Sequence, residues 1–192
     1  TQHQPSPATR SRVAPSLGAD SMRSLLVAVG VVVAAGAVRA ESTVVVKNVH
    51  LCCGACVTGV NNALKTVDGV KGACDTKAKT VTITAADDAA AQKGIDALAA
   101  AGYHGDVAGT AFKVADDSGA ATGKVKTLTV TGVHNCCGAC NKAITAAVGK
   151  VAGVTGNTAK AKSDTFDVTG DFDPTELVKE LNAAGFHVKV KK

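Results

Sequence analysis

The sequence has few of the side chains that build large hydrophobic cores. Its 192 residues contain no tryptophan, one tyrosine, four phenylalanines and one methionine. Any core must therefore be assembled mainly from valine, leucine, isoleucine and alanine, and domains built this way are small and marginal in stability. The only methionine is Met22. A metal site that depends on methionine thioether ligands is therefore excluded from the chain that follows it.

The sequence also lacks the residue sets of common catalytic sites. No Ser-His-Asp set, no pair of catalytic carboxylates and no phosphate-binding loop stands out along the chain. The formal net charge is +5, and the four arginines and one aspartate before residue 41 account for +3 of it. The remaining charge of about +2 is too small to indicate binding to nucleic acid or to an anionic membrane surface. We therefore expect a protein that is not an enzyme and has no nucleic-acid partner.

A short apolar run near the start is typical of a secretory signal peptide. Arg23 precedes uncharged residues 25–38, and small residues up to Ala40 offer a cleavage site before Glu41. The run is shorter than the roughly 20 residues that span a bilayer as a helix. We expect a signal peptide at residues 22–40, preceded at residues 1–21 by a disordered leader or an upstream artefact. The mature protein is then periplasmic or secreted, with no membrane anchor.

Six of the seven cysteines belong to a motif that occurs twice. It reads H-L-C-C-G-A-C at residues 50–56 and H-N-C-C-G-A-C at residues 134–140, an offset of 84 residues. Cysteine triplets repeated at domain spacing are hard to explain by packing and indicate soft-metal binding or thiol redox chemistry. The seventh cysteine, Cys74, has Thr158 at the matching position of the second copy and is predicted to be a small residue in a strand.

The similarity between the two copies extends over a whole domain. β-Branched runs at residues 43–49 and 126–133 precede the motifs and predict strands. After each motif, apolar residues recur at helical spacing, a hairpin follows, and a second helix ends at Gly102 or Gly185. The order β-α-β-β-α-β predicts an α+β fold class made of two tandem ferredoxin-like sandwiches.

The repeat also defines the predicted domain boundaries. The first domain covers residues 41–108 and the second covers residues 125–192. Residues 109–124 between them are rich in glycine, alanine, serine and aspartate, a composition that predicts a flexible linker.

Both copies contain a strand, a C-x-x-C that opens a helix, a Gly-Val pair and a final Ala-Gly-aromatic segment. In these features they resemble the heavy-metal-associated domain. That family includes copper chaperones, the N-terminal tails of copper-pumping ATPases and the periplasmic mercury-binding protein. The resemblance implies a soft metal ion as cargo, with Cu(I) favoured over Hg(II) or Zn(II), and a metal-transporting membrane protein as a partner. The family cysteines correspond to Cys53, Cys56, Cys137 and Cys140.

This chain departs from the family just before those cysteines, where Gly-Met-Thr is usual. A third cysteine would give a three-sulfur site, and a histidine would give the Cys₃His set that zinc accepts. Adjacent residues in an extended segment point to opposite sides, so Cys52 and Cys53 share an ion only if the loop bends. The candidate ligands are Cys52, Cys53, Cys56, Cys136, Cys137, Cys140, His50 and His134, and we expect one soft ion at each triplet.

Two hypotheses compete with metal sequestration or transfer. An extracytoplasmic thiol-disulfide oxidoreductase would use the Cys-Gly-Ala-Cys pairs. Enzymes of the thioredoxin type carry a proline that faces the cysteines from a strand, whereas Pro174, the only proline beyond residue 15, begins a predicted helix. Two disulfide-stapled domains without a ligand would not explain why a three-cysteine triplet with a histidine is present in both copies. His104 and His187 follow the second helices and are either neighbours of the metal ligands or surface residues.

Overall fold

The structure is a computed structural model, and it describes residues 40–109 and 111–191. The predicted leader and signal peptide lie outside the described residues, apart from Ala40. No helix formed by the described residues is both long enough and apolar enough to cross a membrane.

The first half of the chain alternates strands and helices in the predicted order. Strand β1 (Ser42–Lys47) leads into helix α1 (Gly54–Leu64), and strands β2 (Lys71–Asp75) and β3 (Thr80–Ala85) form a hairpin. Helix α2 (Asp88–Ala100) is followed by the short strand β4 (Asp106–Val107). The strands form one antiparallel sheet in the order β2-β3-β1-β4.

The second half repeats this arrangement. Its elements are β5 (Val125–Thr131), α3 (Gly138–Val148), β6 (Val154–Asn157), β7 (Phe166–Phe172), α4 (Pro174–Ala183) and β8 (Lys189–Lys191). The sheet order β6-β7-β5-β8 is again antiparallel and matches the first half strand for strand. The predicted fold class, two tandem ferredoxin-like α+β sandwiches, is confirmed.

Local sequence signals explain where these elements begin. Buried and exposed residues alternate along β1, as expected of a strand with one face on the core. At the start of α2, the Asp87 side chain accepts a hydrogen bond from the Ala90 N–H at 2.8 Å. Asp173 likewise accepts from the Thr175 N–H, and Pro174 occupies the first helical position, where its missing N–H is no loss.

Both second helices end at a glycine in the left-handed region. The φ angle is +84° at Gly102 and +89° at Gly185, a conformation that costs other residues about 1–2 kcal/mol. A Cβ atom on Gly102 would clash with the backbone of Gly132 and His134, and one on Gly185 would clash with the backbone of His50. Each glycine therefore lets its helix end press against the cysteine loop of the other half.

A short antiparallel pairing joins the two halves at these helix ends. Tyr103 and Phe186 form a β-bridge. The His104 N–H donates to the Gly185 carbonyl at 3.1 Å, and the His187 N–H donates to the Gly102 carbonyl at 3.1 Å. The matched positions and equal distances indicate an approximate two-fold axis between the halves.

The core runs continuously through both halves. Each sandwich buries aliphatic side chains such as Ile83 and Ile144, and Tyr103 and Phe186 are buried where the halves meet. Because the two sheet-and-helix units share one core, the loops that face each other across it have fixed positions. The cysteines lie on these loops.

The segment between the halves is held in place by hydrogen bonds. The Gln92 side chain accepts from the Lys113 N–H at 3.1 Å and donates to the Lys113 carbonyl at 2.7 Å. The Val190 N–H donates to the carbonyl of Ser118, which is buried. Within the predicted linker, Lys113 therefore lies against α2 and Ser118 against β8.

Candidate metal centre

Each cysteine loop ends at the start of a helix. Cys53 and Cys137 are the N-cap residues of α1 and α3, and both have an extended backbone. Cys56 and Cys140 lie in the first turn of the same helices and are fully buried. The unpaired N–H groups and the dipole of a helix N-terminus favour thiolate at these positions. One sulfur of each pair therefore comes from the loop and the other from the helix.

The two loops converge, and their sulfur atoms form one group. We call it the six-thiol cluster, and its members are Cys52, Cys53, Cys56, Cys136, Cys137 and Cys140. The Sγ atoms of Cys53 and Cys56 lie 3.8 Å apart, as do those of Cys137 and Cys140. Across the halves, the Sγ atoms of Cys56 and Cys140 lie 3.9 Å apart. The sequence predicts a soft ion at each triplet and leaves open whether the two triplets share an ion. The structure brings both triplets together because the starts of α1 and α3 meet at the two-fold axis.

The third cysteine of each motif reaches into the other half. The Cys52 Sγ lies 3.4 Å from that of Cys140, and the Cys136 Sγ lies 3.7 Å from that of Cys56. Cys53, at the start of its own helix, is also close to the other half, with its Sγ 3.7 Å from that of Cys136. Both neighbouring cysteines of the loop therefore lie at the contact between the halves.

Because the buried thiols of Cys56 and Cys140 are in close contact, their pKa values shift in opposite directions. A hydrogen bond with Cys140 lowers the pKa of Cys56 to about 2, and the nearby His134 ring contributes in the same direction. The same hydrogen bond raises the pKa of Cys140. The two thiols therefore titrate as a coupled pair that shares one proton.

The more exposed cysteines differ in the same way. The backbone N–H of Cys140, in the first turn of α3, lowers the pKa of Cys137 to about 6. Burial raises the pKa of Cys52 to about 12 and also raises the pKa of Cys136. Without metal, the cluster thus combines thiolates that attract a cation with thiols that release a proton when a cation binds.

His134 is held beside the cluster by a tyrosine from the first half. The Tyr103 hydroxyl donates to the Cys56 carbonyl at 2.9 Å, and its oxygen lies 3.0 Å from His134 Nε2. Because the tyrosine proton is used on the carbonyl, a neutral His134 ring donates from Nε2 and keeps its lone pair on Nδ1. The two rings stack with centroids 4.4 Å apart. His134 also groups with Cys56, Cys136 and Cys140, all with candidate ligand atoms within 4.8 Å of one another.

His50, the counterpart of His134, has a different environment because Phe186 replaces the tyrosine. Its ring packs on Phe186 with centroids 4.5 Å apart, and burial lowers the pKa of the imidazole. The His50 Nε2 atom is buried and has no hydrogen-bond partner among the described residues. The His50 ring offers a nitrogen that forms another close group of candidate ligands with the sulfurs of Cys52 and Cys140. A buried nitrogen without a partner is costly, and a bound cation would supply one.

His104 and His187 do not join the candidate ligands. Their rings stack on each other, with Nδ1 atoms 3.3 Å apart, and His187 Nε2 lies 2.7 Å from an Asp117 carboxylate oxygen. Burial, followed by the neighbouring His187, lowers the pKa of His104 to about 4. The sequence offers two interpretations, that they neighbour the metal ligands or lie on the surface. The structure shows instead that they form an imidazole pair at the contact between the halves.

Sequence reasoning missed the contact made by Tyr103 and Phe186, although a signal was present. Both belong to a Gly-aromatic-His segment that recurs at matching positions after the second helix.

Cys74 lies in β2 opposite Val81, is partly buried against the core and has a pKa raised by burial. It belongs to none of the close ligand groups formed by the described residues.

Comparisons with known proteins place the second half in a family. The model of the heavy-metal-associated domain matches residues 125–187. No curated protein matches the chain.

Several solved structures are similar to parts of the chain. A copper binding domain from HMA7, a P-type ATPase, is 22% identical and covers 35% of this chain and 96% of its own, with a TM-score of 0.33. Oxidized MerP from Ralstonia metallidurans CH34 is 28% identical and covers 38% of this chain and 100% of its own, with a TM-score of 0.33. The N-terminal soluble domains of Bacillus subtilis CopA are 19% identical and cover 80% of this chain and 95% of their own, with a TM-score of 0.28.

The first half has the same element order, the same sheet order and the same cysteine motif as the half that matches the family model. The second half therefore contains a heavy-metal-associated domain at residues 125–187, and the first half shares its fold.

Proposed function

We propose that this chain is a carrier or store for Cu(I) and not an enzyme. The observation that carries the proposal is the convergence of six cysteine sulfurs from both halves at 3.4–3.9 Å from their neighbours. Thiolates in this number are the preferred ligands of soft ions. Burial of Cys56 and Cys140 shields the bound ion, whereas exposed Cys52 offers a first sulfur to which a partner has access.

The chemistry of the donor set favours Cu(I) over zinc. Among the described residues, the close groups of candidate ligands contain cysteine and histidine and no carboxylate. Zinc in structural sites takes four ligands in a tetrahedron. Three of the four close groups offer only three donors, which suits Cu(I) better than the four-ligand tetrahedron of zinc. Hg(II) suits the same thiolates and remains the alternative soft cargo.

Transfer to a second protein fits the exposure of the site. A soft ion moves between thiolate sites by exchange of ligands, which requires one accessible sulfur at the surface and closely spaced sulfurs behind it. Cys52 is exposed and its Sγ lies 3.6 Å from that of buried Cys56. We propose a metal-transporting membrane protein with its own thiolate site as the partner.

Competition for Cu(I) tests the proposed function. Reduced protein is titrated with Cu(I) under anaerobic conditions against a colorimetric Cu(I) chelator, and parallel samples receive zinc or Hg(II). We expect the protein to remove Cu(I) from the chelator and to retain it in the presence of excess zinc. Cys74→Ser serves as a matched control with unchanged binding. Retention of zinc with no uptake of Cu(I), or disulfide reductase activity of the metal-free protein, would overturn the proposal.

We also propose that the chain is exported, on the basis of the apolar run after Met22. Export requires the thiols to be held by metal or kept reduced, since free thiols tend to pair in oxidising compartments. N-terminal sequencing of protein isolated from its source should begin near Glu41. A mature protein that retains Met22 would contradict export with cleavage.

A further inference from the structure

We infer that the six-thiol cluster holds three or four Cu(I) ions bridged by shared thiolates, rather than one ion in each half. This inference rests on the proposed function, since it concerns the number and arrangement of the same cargo ions. It follows from the geometry of the sulfurs, from the sharing of sulfurs between neighbouring positions and from charge.

The sulfurs are arranged in triangles whose sides are all between 3.4 and 3.9 Å. An ion bound to three sulfurs at about 2.3 Å, the length of a zinc–thiolate bond, requires sulfurs no more than about 4 Å apart. Each triangle therefore accepts a three-coordinate ion without rearrangement. The four triangles are Cys52–Cys56–Cys140, Cys56–Cys136–Cys140, Cys53–Cys56–Cys136 and Cys52–Cys137–Cys140.

Every one of these triangles takes sulfurs from both halves. The approximate two-fold axis exchanges the first triangle with the second and the third with the fourth. The sulfurs of Cys56 and Cys140 belong to three triangles each, so ions in neighbouring triangles share them as bridges. Two independent sites would need sulfurs that are close within a half and distant between halves, and the 3.9 Å between Cys56 and Cys140 excludes that arrangement.

Charge favours more than one ion. Six thiolates that bind four monovalent ions carry a net charge of −2, whereas six thiolates around one ion would carry −5, so a single ion would leave most of the sulfurs as protonated thiols. The N-termini of α1 and α3 each contribute roughly half a positive charge directed at the cluster. Buried charge is costly unless it is paired. Each ion that binds thus lowers the cost of the remaining thiolates, and the cluster should fill cooperatively.

Native mass spectrometry during Cu(I) addition tests the inference on the full chain. We expect a direct change from metal-free protein to a species with three or four copper ions, with little of the one- and two-copper forms. X-ray absorption on the same sample should show three sulfurs per copper and a copper–copper scattering path. Saturation at one or two ions, or no copper–copper path, overturns the inference while leaving Cu(I) binding intact. Failure to retain Cu(I) at all would instead overturn the proposed function.

Substitution of the extra cysteine in each motif provides a sharper test. Every triangle contains Cys52 or Cys136, so Cys52→Ser combined with Cys136→Ser removes all four and leaves both C-x-x-C pairs. We expect this variant to bind at most two ions, and Cys74→Ser to behave as the wild type. Circular dichroism checks that the fold is retained. A double variant that still binds three or four bridged ions would contradict the assignment of these sulfurs to the cluster.

Discussion

Gly102→Ala is expected to push the two halves apart and to disperse the six-thiol cluster. The Gly102 backbone is in the left-handed region, which costs alanine about 1–2 kcal/mol. The added Cβ would also clash with backbone atoms of Gly132 and His134, which cannot move as a flexible side chain would. We expect a lower melting temperature and a loss of most of the bound Cu(I), measured by thermal unfolding and by elemental analysis after desalting.

Gly69→Ala is the matched control for this substitution. Gly69 also has a positive φ, +72°, but a Cβ there would meet no atom within 4 Å. It therefore reports backbone strain without displacement of the halves. Gly185→Ala should reproduce the effect of Gly102→Ala, because its Cβ would clash with the His50 backbone across the same contact. Equal copper retention by Gly102→Ala and Gly69→Ala would show that the cluster does not depend on this contact.

Removal of one C-x-x-C pair is expected to cost about three quarters of the bound copper rather than half. Cys53→Ser combined with Cys56→Ser destroys every triangle except Cys52–Cys137–Cys140. The matched variant, Cys137→Ser with Cys140→Ser, leaves only Cys53–Cys56–Cys136. Copper per chain in the two variants, determined by elemental analysis, should be about one in each case. A fall to half of the wild-type content in both variants would support two independent sites.

The fold could be predicted from the sequence because its signals are local. The alternation in β1, the N-caps at Asp87 and Asp173 and the glycines that end the second helices each act within a few residues. Because the sequence contains two copies of the domain, the order of strands and helices could be predicted from each copy separately. Each half could therefore be assigned its elements without knowledge of the other.

The identity of the candidate ligands followed from the motif, whereas their convergence did not. The contact between the halves depends on backbone atoms of Gly102 and Gly185 and on the pairing of Tyr103 with Phe186. These residues are far from the cysteines in sequence and resemble an ordinary helix end. The same contact explains why His104 and His187 face each other. Composition alone likewise gave no indication that Gln92 would hold the linker at Lys113.

The single chain that carries both halves has a consequence for how the site assembles. Two separate domains would have to find each other by diffusion, so the fraction of complete sites would fall as the protein was diluted. A covalent connection instead gives each half a constant local concentration of the other, typically in the millimolar range for short tethers. The contacts of the connecting segment with α2 and β8 also limit the distance by which the two halves can separate. Complete sites should therefore persist at the nanomolar protein levels at which a two-chain site would fall apart.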